Sequence, residues 1–220
     1  MYHYILFDLD GTLTDPKEGI TKCVQYALAH FGIHEETDNL TDFIGPPLLD
    51  SFMRFYNLSE AEAREAVRLY RERFGPVGIY ENRVYPGIPE MLKGLKEKGL
   101  VISLATSKPE LYARQILERF GLSPYFNNVT GSLFDGKRTD KGEVITEAMR
   151  LLGCADPDER CRVLMVGDRM HDAAGALKCG IDCLGADFGY AHPGELEKAG
   201  AIAVVPDVAA MTKWLADHCE

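Results

Sequence analysis

From Tyr85 onward, short apolar runs alternate with segments of helical periodicity, and few folds accept that alternation. The pattern predicts helices over Ile88 to Lys98, Glu110 to Phe120, Gly142 to Leu152 and Ala173 to Cys179. Between them fall predicted strands over Val101 to Ala105, near Phe126 to Thr130, Val163 to Val166 and Ile181 to Leu184, with an edge strand over Ala201 to Val205. Strands joined in turn by helices build a parallel sheet covered on both faces. The apolar run Tyr4 to Phe7 must join that sheet, so the expected fold is α/β with a Rossmann-like parallel core.

Between Pro16 and Tyr85 the pattern is helical only. Ile20, Val24, Leu28 and Phe31 form one apolar stripe, and Ala63, Val67 and Tyr70 another. Ser59-Glu60-Ala61-Glu62 has the spacing of a capping box and starts a helix that ends by Gly75-Pro76. The expected organisation is therefore a core of residues 1–15 and 86–220, with a separate all-helical domain, 16–85, inserted after the first strand. Thr14-Asp15-Pro16 and Tyr85-Pro86-Gly87 are candidate hinges, and Ile44-Gly45-Pro46-Pro47 reads as a stiff turn into a helix over Leu48 to Tyr56.

Chemistry gathers where the predicted strands end. Tyr4 to Phe7 runs into Asp8-Leu9-Asp10-Gly11, and in an extended chain residues two apart share a face, so Asp8 and Asp10 can address one spot. Gly11 lets the backbone turn away at positive φ. An Asp-Gly turn alone would account for Asp10 and Gly11 but leaves Asp8 unexplained. Thr106-Ser107-Lys108 follows the second strand, Lys141 opens a later helix, and Asp168 and Asp172 follow Val163 to Gly167. Ligands of open parallel sheets bind outside the carboxyl ends of the strands, where these groups lie.

The order of nucleophile pair, hydroxyl, lysine and acidic pair resembles the haloacid dehalogenase superfamily along nearly the whole chain. The resemblance is nearest to its phosphatases with a helical cap, phosphoglycolate-phosphatase-like or nucleotidase-like. It implies a Mg²⁺-dependent phosphatase in which ionised Asp8 attacks a phosphoryl group to form an aspartyl phosphate. It also implies that the Asp8 side chain, the Asp10 backbone carbonyl and Asp168 hold the metal, with Asp172 expected to hold a metal-bound water. Asp10 would protonate the leaving oxygen and later deprotonate water. Dehalogenating relatives lack a second acid at this position, so Asp10 disfavours dehalogenation.

Lys141 follows Asp140 in Asp140-Lys141-Gly142-Glu143, a helix start where a cation opposes the helix dipole at roughly 0.3 to 1 kcal/mol. A bound phosphate and Asp8 would offset that penalty, whereas Lys137 and Arg138 fall in the preceding loop. Ser107-Lys108-Pro109-Glu110 has capping-box spacing, which assigns Ser107 a structural role and makes Thr106 the better phosphate ligand. Gly11, Thr106, Ser107 and Lys141 are thus the substrate-binding candidates. Lys108 reads either as a surface residue at a helix start or as a second phosphate contact. His171, among oxygen donors, is read as a supporting or surface histidine, because oxygen-rich sites suit Mg²⁺.

A net charge of −10 weighs against a nucleic-acid surface, and no apolar run approaches the roughly 20 residues that span a bilayer. Six cysteines without a Cys-x-x-Cys pair argue against zinc or a disulfide framework, and Gly180 separates Cys179 from Cys183 as a helix stop. The expectation is a cytoplasmic enzyme acting on a small phosphorylated metabolite. No Gly-x-x-x-x-Gly-Lys-Ser/Thr loop exists, which excludes a P-loop route. A phosphomutase similar to β-phosphoglucomutase would use the same four motifs, whereas a catalytically silent phosphometabolite-binding regulator should have lost at least one of Asp8, Asp10, Lys141 or Asp168, all of which are present.

Overall fold

The computed structural model describes all 220 residues, and the chain divides into two compact units, Met1–Thr14 with Val84–Glu220 and Asp15–Arg83. Eight strands follow in order: β1 Tyr4–Phe7, β2 Thr14–Asp15, β3 Arg83–Val84, β4 Val101–Pro109, β5 Asn128–Ser132, β6 Val163–Gly167, β7 Asp182–Ala186 and β8 Ala203–Val205. The short β2 and β3 pair with each other where the chain leaves the first unit and returns to it. The other six form one parallel sheet in the order β5-β4-β1-β6-β7-β8, which is Rossmann-like, with β1 at the point where the strand order reverses.

Register does the positioning. Phe7 of β1 lies opposite Leu104 of β4 and Val166 of β6, so the residues following these three strands emerge side by side. β1 and β6 are buried throughout apart from Tyr4, as expected of central parallel strands covered on both faces. Beneath them Leu6, Met165, Val144, Ile145 and Ala173 belong to one apolar cluster, which fixes the helices Lys141–Leu152 and Met170–Cys179 against the sheet.

Several predicted boundaries move, each for a local reason. β4 runs through Pro109 rather than stopping at Ala105, and the helix Glu110–Arg119 starts after a proline with no side-chain cap. Proline disfavours the helical conformation for Lys108, so the strand continues and the expected Ser107 capping box does not form. The helix after β6 begins at Met170, three residues before the predicted Ala173, which places Asp172 in its first turn. It ends at Gly180 in the left-handed conformation, leaving Cys179 on the helix and Cys183 on β7, and all six cysteines are free thiols. A helix absent from the sequence reading, Val208–His218, is capped by the Asp207 carboxylate accepting from the Ala210 N–H.

The second unit holds the helices Lys17–Ala29, Leu48–Tyr56 and Glu60–Phe74. The Ser59 capping box forms with both of its bonds, Ser59 Oγ accepting from Glu62 N–H and Glu62 Oε2 accepting from Ser59 N–H. The buried stripe of that helix is Ala63, Ala66, Leu69, Tyr70 and Phe74, with Val67 only half-buried, and Phe31 lies beyond the end of the first helix. No helix of either unit is long and apolar enough to cross a membrane.

Candidate active site

Asp8 directly follows β1, and its N–H donates to the Val166 carbonyl of β6, which anchors the strand end beside Asp168. Gly11 turns the chain with φ +83°, and a side chain there would strike the Asp168 carboxylate. Gly189, from the loop after β7, approaches the same carboxylate and the Gly11 carbonyl so closely that a Cβ would collide with both. Gly167 leaves similar room for Asp172. Three glycines thus let backbone close around two carboxylates.

The site is dense in buried charge. Asp8, Asp168 and Asp172 each present a carboxylate oxygen within 4.8 Å of the others, and all three residues are at most 5% exposed. Lys141 Nζ lies 2.6 Å from Asp8 Oδ1 and 2.6 Å from Asp172 Oδ1. Asp168 accepts from the Tyr190 N–H at 2.8 Å and from the Thr12 hydroxyl at 3.4 Å, while Asp172 Oδ2 accepts from the Arg169 N–H at 3.0 Å. Asp10 turns to a different lysine: Lys108 Nζ donates to Asp10 Oδ2 at 2.5 Å, whereas Asp10 Oδ1 is buried without a hydrogen-bond partner.

Four buried carboxylates therefore face two buried ammonium groups, and the nearby Arg169 is paired with Glu195 at 3.0 Å. The imbalance and the burial together shift the acidities of these groups. Burial, then Asp172 and Asp8, push the Asp168 carboxyl well above its ordinary range. Burial raises Asp172 against the pull of Lys141, and raises Asp10 against the pull of Lys108. Burial alone would lower Lys141, but Asp172 and Asp8 outweigh it and hold the ammonium charged. An excess of two negative charges on converging hard oxygens, packed close by glycines, fits a divalent cation of the Mg²⁺ or Ca²⁺ type.

Of the residues singled out by sequence, Asp8, Asp168, Asp172 and Lys141 converge on this spot, and Asp10 and Gly11 adjoin it. Thr106 is buried at the outer end of β4, its hydroxyl accepting the Lys108 N–H at 3.2 Å. Ser107 is partly exposed between two buried neighbours, and its carbonyl accepts from Ser132 Oγ. Lys137 pairs with Asp135 and Arg138 with Glu110. His171 is not among the three clustered carboxylates; burial, then Arg169 and Lys141, lower its pKa.

Sequence reasoning left Lys108 open and missed Thr12, Tyr190 and Gly189. The alternation of β4 carried a signal for Lys108, since Thr106 and Lys108 stand two apart. Tyr190 is 22 residues beyond the carboxylate it supports and has no local signature.

Residues 5–186 match the family described as haloacid dehalogenase-like hydrolase. Along 99% of its length the chain is 48% identical to a 5′-nucleotidase of Pseudomonas aeruginosa, covering 97% of that protein. It is 37% identical to the tyrosine-protein kinase PtkA of Mycobacterium tuberculosis over 91% of this chain and 67% of that one. The crystal structure of a predicted phosphatase from Clostridium acetobutylicum superposes with a TM-score of 0.94 at 44% identity, covering 99% of each chain. With the family match spanning most of the sequence and its sheet positioning these residues, the chain belongs to the haloacid dehalogenase-like hydrolases.

Proposed function

We propose that this protein is a Mg²⁺-dependent phosphatase of small phosphomonoesters, with nucleoside monophosphates as the first substrate class to test. The observation that carries the reading is the buried excess of carboxylates around Lys141 at the ends of β1 and β6. The likeness to a 5′-nucleotidase directs the choice of substrate. The six free thiols suit work in a reducing cytoplasm.

In this reading Asp8 attacks phosphorus, an O–P bond forms, and the bond to the leaving oxygen breaks with a proton supplied by Asp10. Lys141 orients Asp8 by donating to its Oδ1, and the Thr106 hydroxyl donates to a phosphoryl oxygen. Mg²⁺ held by Asp8, Asp168 and the Asp10 carbonyl, with Asp172 beside them, would neutralise charge between carboxylate and phosphate. Asp10 then takes a proton from the water that cleaves the aspartyl phosphate, releasing phosphate and restoring Asp8. In this reading substrate selectivity would come from the helical unit, residues 15–83.

A second reading sends the phosphoryl group from Asp8 to a hydroxyl other than that of water, as a mutase or kinase would. The relative named as a tyrosine kinase favours testing it. The experiment is a screen of phosphorylated metabolites with Mg²⁺, measuring free phosphate and phosphorylated products side by side. Phosphate release that needs Mg²⁺ and vanishes in Asp8→Asn supports hydrolysis. Release undiminished by EDTA, or products that carry the phosphoryl group without free phosphate, would overturn it.

A further inference from the structure

Asp8 and Asp10 lie two residues apart, yet each is served by its own lysine. Lys141, from the start of a helix, bridges Asp8 and Asp172, whereas Lys108, from the outer end of β4, reaches Asp10. Both side chains of the second pair are nearly sealed from water, Lys108 at 5% and Asp10 at 9% exposure. The regular pairing of β4 with β5 breaks between Ala105 and Pro109, where Lys108 enters, and its N–H is tied to the Thr106 hydroxyl. A buried lysine with no binding task would be costly to keep, since taking an ion from water costs several kcal/mol even after relaxation.

We infer that Lys108 is a positioning residue: by holding Asp10 Oδ2 it presents Asp10 Oδ1 to the leaving oxygen of the substrate. The two oxygens of Asp10 differ as this requires, one bonded to Lys108 and the other buried without a partner. A carboxylate free to rotate about χ2 would lose that orientation and swing toward the cation site beside it. Lys108 keeps the leaving-group acid apart from the carboxylates around Lys141. This role rests on the phosphatase reading and on Asp10 as its general acid. It predicts that Lys108 matters in proportion to the basicity of the leaving group.

The test compares phenyl phosphate with p-nitrophenyl phosphate, which share a phosphoryl group and a ring but differ in how much the departing oxygen needs a proton. In Lys108→Met, kcat/KM should fall about 30-fold for phenyl phosphate and less than about threefold for p-nitrophenyl phosphate, part of the span that general acids contribute. Activity retained on the nitro compound shows that the variant folds. Lys108→Arg, which keeps charge and donor, should fall by smaller factors with the same bias and guards against loss of the fold in the first variant. Adding Lys108→Met to Asp10→Asn should cost nothing further on phenyl phosphate if the lysine acts through Asp10. Equal losses on both substrates would overturn the inference and make Lys108 a direct phosphate ligand. If the wild type turns over both compounds and only the bias is missing, the inference alone fails. If the wild type with Mg²⁺ turns over neither, the phosphatase reading fails with it.

Discussion

Replacing Asp168 by asparagine should stabilise the metal-free protein while removing its response to Mg²⁺. Asp168 is fully buried, and its bonds come from the Tyr190 N–H and the Thr12 hydroxyl rather than from an ammonium group. Asp8 and Asp172 present oxygens within 4.8 Å of it, a separation at which each like-charge pair costs about 3 kcal/mol at an effective dielectric of about 20. Lys141 and partial protonation of Asp168 offset much of this, so a net gain of about 1 to 3 kcal/mol is expected when the charge is removed. Asparagine retains an acceptor for the Tyr190 N–H. For a chain of 220 residues the gain corresponds to a Tm higher by about 3 to 8 °C in EDTA. Folded Asp168 titrates above an unfolded carboxylate, so the folded state binds the extra proton and loses stability as pH rises through that window. The advantage of Asp168→Asn should accordingly be smallest in acid and widen toward neutral pH. In the wild type, Mg²⁺ at a hundred times its Kd should restore about 2.7 kcal/mol, and in the variant almost none. The assay is a thermal melt of both proteins in EDTA and across a Mg²⁺ titration. A variant that melts lower in EDTA, or that keeps the wild-type Mg²⁺ shift, would refute the charge-excess account.

Asp8→Asn should lower kcat more than about a thousandfold while leaving the circular dichroism spectrum unchanged, because the amide keeps the volume but cannot attack phosphorus. Lys141→Met should cost about 2 to 4 kcal/mol in kcat/KM and also lower Tm, since it leaves Asp8 and Asp172 buried without their shared cation. The helix-dipole argument alone would have left stability unchanged or slightly improved, so an unchanged melt would mean the pair contributes little. Gly189→Ala drives a methyl group against Asp168 and the Gly11 carbonyl and should weaken Mg²⁺ about tenfold, read from the Mg²⁺ dependence of Tm and of phosphate release. An unaltered Mg²⁺ midpoint would remove the loop after β7 from the cation site.

The core sheet was legible because each strand is a short apolar run and parallel pairing leaves little freedom of register. With Tyr4–Phe7 central, Leu104 and Val166 fall opposite Phe7, and three chemically loaded segments meet without any long-range information in the sequence. Errors came where two local rules competed. The spacing of Ser107 and Glu110 suggested a cap, but Pro109 holds Lys108 extended, and the backbone restriction prevailed over the cap. In the helical unit, Val67 is the more hydrophobic residue, yet Ala66 occupies the buried stripe, because position along a helix counts for more than residue type. Contacts such as Tyr190 with Asp168 depend on how a loop returns over the sheet, which no periodicity encodes.

The proposed division of work between Asp8 and Asp10 is a question that the sequence could pose but not answer. Neighbours in one turn experience nearly the same bulk environment, so two different chemical tasks need separate local partners. The fold provides them from distant segments: a lysine 133 residues along the chain for Asp8 and one 98 residues along for Asp10. The first is shared with Asp172 and sits among the clustered carboxylates, whose converging oxygens suit a cation. The second engages one oxygen of Asp10 and leaves the other buried without a partner, and burial raises the pKa of that carboxyl despite the opposing pull of the lysine. Exchanging the partners would defeat both proposed tasks: an Asp10 shared with Asp172 would join the proposed cation site, and an Asp8 held by Lys108 would leave it. The order of strands β4, β1 and β6 keeps them separate, because it places Lys108 on one side of the first strand and Asp172 on the other.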